Sequence, residues 1–436
     1  MQQYCPDTRF DAIVLGAGIS GLVSAYLLAD QGRKVLLLDD YAELGGNHIS
    51  REIGGMSFDI GCFFFHQNSA FFRHFPQLLP LYLPAEAQVS KVRPDGEVSS
   101  YPFDLKRDLL GLPPAKQAHI VSSLVHSRLT VDQQASALDF ITYWIGREFA
   151  NVSGLIPYLR RFYSAEPDMV ESSFARKRMG WVARNANLKG LLRSLRGQAG
   201  TEKNACLVRP KAGFQEIYSK VADMIREKGA IVQLAAAVQA ITQNGDGSMA
   251  VLLASGSVHA AELFSTVPLA TALRYCGMPI PSELKSARLV SLFYSFIGHR
   301  GFDSNVLYNF HDRGLWKRLT IHSDFYGEVE GRAYFSVEFT VTGEPLTSDH
   351  YDEDFRRDVA RKGLFDGDLV LEGSNLLDHA YPVYLKGATA AADRAIGHLA
   401  RFGVRSYGRQ GGFDYQPTGD ISASVAERTI SGTLPA

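Results

Sequence analysis

The stretch "FDAIVLGAGISGLVSAYLLADQGRKVLLLDD", residues 10–40, constrains the fold more than any other part of this chain. Ala12 to Leu15 read as a buried strand, Gly16, Gly18 and Gly21 follow, and Leu22, Ala25 and Leu28 then recur on one helical face until Gly32. "KVLLLDD" reads as a second buried strand. Gly16 permits a tight strand-to-helix turn, Gly18 lets the backbone approach a pyrophosphate, and Gly21 lets helix and strand pack closely. The unpaired N–H groups and positive dipole end of the helix then face the phosphates. Asp39 ends the second apolar run, 18 residues beyond Gly21, where a carboxylate can accept hydrogen bonds from a ribose diol; Asp40 is the competing acid. Strand, turn, helix, strand and acid in one register predict a dinucleotide site in an α/β lobe.

The rest of the chain has to be more than this lobe. With 436 residues, 46% apolar and 21% charged, it can bury large cores and is expected to form two or more lobes. A formal net charge of −1 gives no global field to gather nucleic acid or an anionic membrane, so phosphate binding must be local. Cys5, Cys62, Cys206 and Cys276 are dispersed, without CxxC spacing, and no basic, apolar leader opens the sequence. Reduced thiols in a cytoplasmic protein are the expectation. No uninterrupted apolar run reaches membrane-spanning length. The histidines never adopt HxH or HxxxH spacing, and no Gly-x-Ser-x-Gly turn occurs, so neither metal nor serine-nucleophile chemistry is indicated.

A second glycine pair, Gly45 and Gly46 in "LGGNHIS", is more than a plain NAD domain needs. Together with Gly16, Gly18, Gly21, Leu22, Ala25, Leu28, Gly32 and Asp39 it resembles the FAD fingerprint of flavin amine oxidases, protoporphyrinogen oxidases, phytoene desaturases and UDP-galactopyranose mutases. The resemblance implies FAD as cofactor, with Gly45, Gly46 and Asn47 near its pyrophosphate and ribityl chain. "VRPKAGFQEIYSKVADMIREKGAIVQLAAAVQAI" (208–241) is similar to the family's returning segment, which would bring the backbone of Val238 to the adenine. "AAELFSTVPLATAL" (260–273) is similar to its re-entering strand and turn. "VRSYGRQGGFDYQPTGDISASVAERTI" (404–430) is similar to the closing flavin motif, which would set Gly408, Arg409 and the helix start at Asp420 against the flavin. Thr418 or Asp420 can cap that helix.

The implied architecture is a discontinuous Rossmann-like FAD lobe (1–98, 201–275 and 375–436), a helical cap (99–200) and an antiparallel sheet forming a substrate domain (276–374). The periodicity of "VDQQASALDFITYWIGREFA" fits the cap, and runs such as "GRAYFSVEFTVTG" fit the sheet. Between Arg160 and Arg196 nine Lys or Arg face three acids, which reads either as a solvated helix face or as a cationic wall for an anionic substrate. This segment resembles polysaccharide-associated members of the superfamily, which makes Arg178 the candidate inward arginine, with Arg176 and Arg184 behind it.

"DIGCFFFHQN", residues 59–68, is similar to the mutases' Gly-Pro-His run and to the Gly-Gly-His-Arg run of the polysaccharide-linked oxidoreductases. Gly61 is kept and His66 matches the second mutase histidine, while Phe63 replaces the histidine nearest the flavin, which predicts an unusually apolar flavin face. His66, Arg178 and Tyr415 are the candidate catalytic residues, and His48 is a further candidate. The resemblance implies an FAD-dependent oxidoreductase taking a hydride from an alcohol or amine carbon, including that of a sugar or nucleotide sugar. The alternatives are a nonredox, mutase-like sugar ring isomerase using reduced FAD, and a binding module resembling GDP-dissociation inhibitors. A small-molecule partner, anionic on the strength of the basic run, follows from the first two; oligomeric state is not indicated.

Overall fold

The computed structural model describes residues 8–103, 106–185 and 204–432. Cys5, Lys189, Arg193 and Arg196 lie outside the described residues.

The fingerprint folds as its spacing predicts. β1 (Arg9–Leu15) and β2 (Val35–Leu38) pair in parallel, connected by the helix Ile19–Asp30. β9 (Ile231–Gln233) extends the sheet in parallel beyond β2. On the other side of β1 lies β12 (Gly256–Ser265), parallel to it, followed by the antiparallel β11 (Met249–Leu253) and β10 (Val238–Gln243). β18 (Val404–Ser406) pairs with the end of β12, which ties the C-terminal segment into the first lobe. β2 is buried at all four positions, as expected of a strand with helices on both faces of its sheet.

The second sheet runs β17 (Phe365–Pro382), β13 (Ser286–Arg300), β16 (Ala333–Val341), β15 (Arg318–Ile321), β14 (Val306–Asn309), β6 (Val89–Val92) and β7 (Val98–Ser100). β6, inside the span expected for the FAD lobe, and β7, across the expected start of the cap, both belong to this sheet, because β6 pairs in parallel with β14 and antiparallel with β7. β17 likewise runs past the expected boundary at residue 374. Two smaller pairs, β3 (Ser50–Ile53) with β4 (Met56–Asp59) and β5 (Leu83–Ala87) with β8 (Asn204–Val208), bridge the lobes.

The second sheet has two buried faces of different chemistry. Leu319, Ile321, Phe335, Val337 and Phe339 pack with Tyr351 and Phe355 of the covering helix Ser348–Arg361. The alternate positions carry Thr320, Ser336 and Glu338, also buried, with Arg318 opposite Glu338 and Ser336 opposite Thr320. A period of two thus sorts apolar side chains to the helix and polar ones toward the interior between lobes.

The cap consists of the helices Pro114–Thr130, Ala137–Ile145, Arg147–Val152, Leu155–Tyr163 and Ser172–Asn185. Tyr158, Phe162 and Phe174 share a core with Tyr384 and Tyr415 from the C-terminal third. Arg161 fastens the cap to the sheet, donating to the carbonyls of Gly314 (2.9 Å), Asn309 (2.8 Å) and His311 (2.8 Å).

Candidate functional site

The two glycine motifs meet. Gly45 N–H donates to the Ala17 carbonyl at 2.9 Å, Gly18 and Gly45 form a backbone bridge, and a Cβ on Gly46 would lie 3.0 Å from Gly18 Cα. Gly21 is under a harder constraint: a Cβ there would sit 1.7 Å from the Gly16 carbonyl oxygen, so any side chain would push the helix off β1. Gly18, the N-cap of Ile19–Asp30, makes no side-chain capping bond. The first-turn N–H groups are therefore available to an anion.

Asp39 is buried, and its carboxylate accepts from Ala17 N–H (2.5 Å) and Tyr41 N–H (2.9 Å). Burial pushes its pKa up despite those bonds. Asp40 accepts from Val238 N–H at 2.9 Å and from the Tyr275 hydroxyl, which leaves Asp39 as the acid that lines the cleft.

A cavity of about 510 Å³ opens from this cradle. Its near end is lined by Gly16, Gly18, Asp39, Gly45, Gly46 and Asn47. Its wall is formed by Gly61, Cys62 and Phe63, by Thr266 to Pro268, and by Asn375 to Tyr381 of β17. Arg318, Arg409 and Tyr415 line it as well, as do Thr418 and Gly419 at the start of the helix Gly419–Ile430. A narrow glycine cradle, a carboxylate suited to a ribose and two helix N-termini are the features an FAD molecule needs, so the residues present fit that cofactor.

The structure places several of the sequence candidates away from the cleft lining. His66 is exposed, held only through its carbonyl, which accepts from Ser69 N–H at 3.0 Å, and it does not line the cleft. The strand-like run ends at Phe65, whose ring turns into the core, so His66 falls on the solvent side. Val238 lies outside the cleft lining with its N–H bound to Asp40. Asp420 accepts from Ala70 N–H (2.5 Å), at the start of the helix Ala70–His74, while Thr418 caps its own helix through Ile421 N–H. Gly408 also sits behind the lining, where a Cβ would meet Ser20 Oγ at 2.9 Å.

Among the described residues the basic run does not form a wall; the side chain of Arg184 and the residues Lys189, Arg193 and Arg196 lie outside them. Arg160 pairs with Glu166 at the surface, Arg161 binds loop carbonyls, Lys177 pairs with Asp414, and Arg176 is exposed. Arg178 does point inward: its Nη2 donates to Tyr158 Oη at 3.0 Å, its Nε is buried without a partner, and Tyr101, Tyr308 and Tyr415 surround it. Tyr308 Oη accepts from Arg318 at 3.0 Å and from Arg178 at 3.5 Å, which links Arg178 to the cleft lining.

Behind Arg318 of the cleft wall, Glu338 is nearly inaccessible and pairs with Lys317 (3.0 Å) and Arg318 (2.5 Å). Arg409 donates to the carbonyls of Ala380 (3.1 Å) and Gln416 (3.3 Å) and keeps a buried Nε without a partner. Lys317 and Arg318 thus share one carboxylate, while Arg178 and Arg409 lie against the neighbouring phenols. Sequence reasoning missed Lys317, Arg318 and Glu338. The signal was the alternation of Ser336, Glu338 and Thr340 with apolar residues in a strand too apolar to face water.

Phe63 stands in the wall, 4.5 Å from the ring of His48 and 5.3 Å from that of Phe214. Burial, reinforced by Arg409, lowers the His48 pKa to about 3, and Nδ1 shares a 2.5 Å hydrogen bond with Tyr218 Oη. Burial pushes the Cys62 thiol up to about 11, which makes it a poor nucleophile.

Residues 14–78 match the family described as the NAD(P)-binding Rossmann-like domain. A stretch of 39 residues is 59% identical to UDP-galactopyranose mutase of Mycoplasma pneumoniae, covering 9% of this chain and 10% of that protein. One of 72 residues is 42% identical to (S)-6-hydroxynicotine oxidase of Paenarthrobacter nicotinovorans, covering 16% of each. The chain therefore matches no more than about a sixth of the length of these curated relatives. Solved structures agree over the whole chain. Reduced UDP-galactopyranose mutase superposes with TM-score 0.79 at 18% identity, covering 99% of this chain and 94% of that one. A putative protoporphyrinogen oxidase from Exiguobacterium sp. 255-15 gives TM-score 0.73 at 14% identity, covering 98% of each. The chain has the fold of the FAD-dependent amine oxidase and UDP-galactopyranose mutase superfamily.

Proposed function

We propose that this protein is an FAD-dependent oxidoreductase that takes a hydride from an alcohol or amine carbon of a small anionic substrate, with sugars and nucleotide sugars as the first class to test. The observation that carries this reading is the cleft itself, which runs from a glycine cradle to a wall bearing Arg318 and Arg409, with Lys317 and Glu338 paired behind Arg318 and Arg178 joined to it through Tyr308. Uncompensated buried cations are costly unless an anion completes the site. Gly18, Gly45, Gly46, Asn47 and Asp39 would hold FAD, which supplies a two-electron acceptor when bound. Arg318, Arg409 and, behind them, Arg178 would hold the anionic group of the substrate, and Tyr415 would close the chamber beside them. The dispersed free thiols Cys62, Cys206 and Cys276 support a cytoplasmic setting.

A nonredox mutase is the second reading. A cationic chamber equally suits a leaving diphosphate, and the fold likeness to reduced UDP-galactopyranose mutase extends over 99% of the chain. The test is an anaerobic screen of the FAD-loaded protein against sugars, nucleotide sugars, alcohols and amines. Bleaching of the flavin by a substrate supports the oxidoreductase. Turnover only after dithionite reduction, without net electron transfer, replaces it with the mutase. Failure to bind FAD overturns both and leaves the binding module.

A further inference from the structure

We propose that Tyr381 is the acid–base residue of the cleft, its hydroxyl held by Lys317 and placed to exchange a proton with the reacting group of the substrate. The proposal rests on the reading of the cleft as a catalytic site, but its test does not require that reading to hold.

Tyr381 lies near the end of β17, and its ring lines the cleft beside Arg318 and Tyr415. Lys317 Nζ donates to its hydroxyl at 3.0 Å. The same ammonium lies 4.7 Å from the ring centroid, and Arg409 Cζ lies 5.0 Å from it. Lys317 is 2% exposed and Glu338 1%, so water does little to screen these charges.

The charged groups facing the phenol are Lys317, Arg318 and Arg409 against Glu338, and the rings of Phe162, Tyr163 and Tyr415 lie beside it. Three cations against one carboxylate favour the phenolate. The other enclosed tyrosines show what the neighbours change: burial drives Tyr158, Tyr163, Tyr218 and Tyr326 well above the ordinary tyrosine value. Burial pushes Tyr381 upward too, yet Lys317, Arg318 and Arg409 prevail over it and over Glu338, and its pKa falls below 10. A proton-transfer group must be able to lose its proton, and the cations around the Tyr381 hydroxyl favour that loss.

The chemistry balances with the oxidant of the proposed function. When a carbinol carbon gives up its C–H electron pair as hydride to FAD, its O–H bond must break as the carbonyl forms. The Tyr381 phenolate takes that proton, forming its own O–H bond, and Lys317 stabilises the phenolate beforehand and at turnover. With an amine the same transfer applies to N–H. Glu338 holds the Lys317 ammonium in place, so Lys317 and Glu338 are positioning residues.

The decisive experiment is a spectroscopic titration of tyrosinate absorbance in the full-length protein, comparing wild type with Tyr381→Phe and Lys317→Met. The expected result is one tyrosine ionising below the ordinary value of about 10 in the wild type, missing in Tyr381→Phe and shifted upward in Lys317→Met. Inorganic phosphate, used as a probe anion for the chamber, should shift the same transition upward. Identical titrations in wild type and Tyr381→Phe overturn the proposal. If Tyr381→Phe does not fold, an unshifted transition in Lys317→Met overturns it equally. With any substrate found by flavin bleaching, Tyr381→Phe should slow the bleaching by about 10²-fold or more and remove the acid limb of its pH profile. An unchanged rate and profile refute the role. A chain that never bleaches fails the proposed function, while the tyrosinate titration still decides Tyr381.

Discussion

Glu338→Gln tests the electrostatics of the chamber most directly. Glu338 is 1% exposed, and its two partners are Lys317, 2% exposed, and Arg318, 14% exposed. The amide keeps the shape and removes the carboxylate that pairs with both enclosed cations. Breaking a buried ion pair by neutralising one partner costs about 3–5 kcal/mol, because the remaining charge stays out of water. With an unfolding entropy of about 2.1 cal/mol/K per residue, a chain of this length has about 0.9 kcal/mol/K, so the melting temperature should fall by roughly 3 to 6 °C. The pH dependence has a definite sign. Burial raises the Glu338 pKa, but Arg318 and Lys317 outweigh it and hold the carboxyl below its ordinary value of 4.5. Its contribution is therefore complete above that value and is lost as pH falls through the lowered one. The gap between variant and wild type should persist from pH 6 to 8 and narrow below about pH 4. Inorganic phosphate should restore more stability to the variant than to wild type, since an anion binds a more positive chamber more tightly. Differential scanning calorimetry with and without phosphate measures both effects. A variant as stable as wild type at neutral pH, or equal stabilisation of both by phosphate, would refute the assignment of Glu338 as the counter-charge.

Two further substitutions address the cradle and the inter-lobe seam. Gly21→Ala places a Cβ 1.7 Å from the Gly16 carbonyl, a clash with backbone rather than with a flexible side chain. It should cost at least the upper part of the usual 1–3 kcal/mol for overpacking and weaken FAD binding, read by flavin fluorescence and thermal melting. Asp59→Asn uncouples Arg209, which is fully buried and donates to Asp59 at 2.6 Å and to the carbonyls of Ser57, Pro210 and Lys211. The expected loss is about 3–5 kcal/mol in denaturant unfolding, and a neutral effect would remove this pair from the forces joining β4 to the segment after β8.

How much of this was legible beforehand depends on range. The cradle was, because Gly16, Gly18, Gly21 and Asp39 act within one βαβ unit and their spacing is set by local geometry. The second sheet was legible as short alternating runs, but its edge was not. β6 joins β14 across more than two hundred residues, and nothing local in "VSKV" specifies a parallel partner. The placement of the candidate residues was hidden for the same reason. The family register of His66 and Asp420 was readable, but side-chain direction depends on where the chain turns. Phe65 takes the inward position ahead of His66, and Ala70 N–H claims the carboxylate of Asp420. The basic run misled because charge density along a sequence says nothing of facing. Arg160 and Arg176 face outward, Lys177 reaches Asp414 across the Tyr384 ring, and Arg178 donates to the buried Tyr158 phenol.

The apolar flavin face expected from Phe63 turns on His48, whose ring lies 4.5 Å from it at a tilt of 52°, because a charged imidazole there would reverse the expectation. Burial lowers His48 to about 3, and burial also lowers His322, 1% exposed with Nε2 bonded to Ser336 Oγ at 2.9 Å, to about 4. Both are neutral in the folded chain at neutral pH. The unfolded chain binds a proton at each near the ordinary histidine value of about 6.5, so folding stability is complete above that value and declines as pH falls toward the lowered ones. Each such group steepens the decline by about 1.4 kcal/mol per pH unit, and His322 alone should account for about 3 kcal/mol by pH 4. His48→Phe keeps an aromatic ring among Phe63, Phe65 and Phe214 while removing one titrating group. Urea unfolding between pH 7 and 4.5 should therefore give a shallower slope for His48→Phe than for wild type, by about one proton's worth. Parallel slopes would mean that His48 titrates alike folded and unfolded, and the wall beside Phe63 would then carry a proton-accepting imidazole rather than a neutral one.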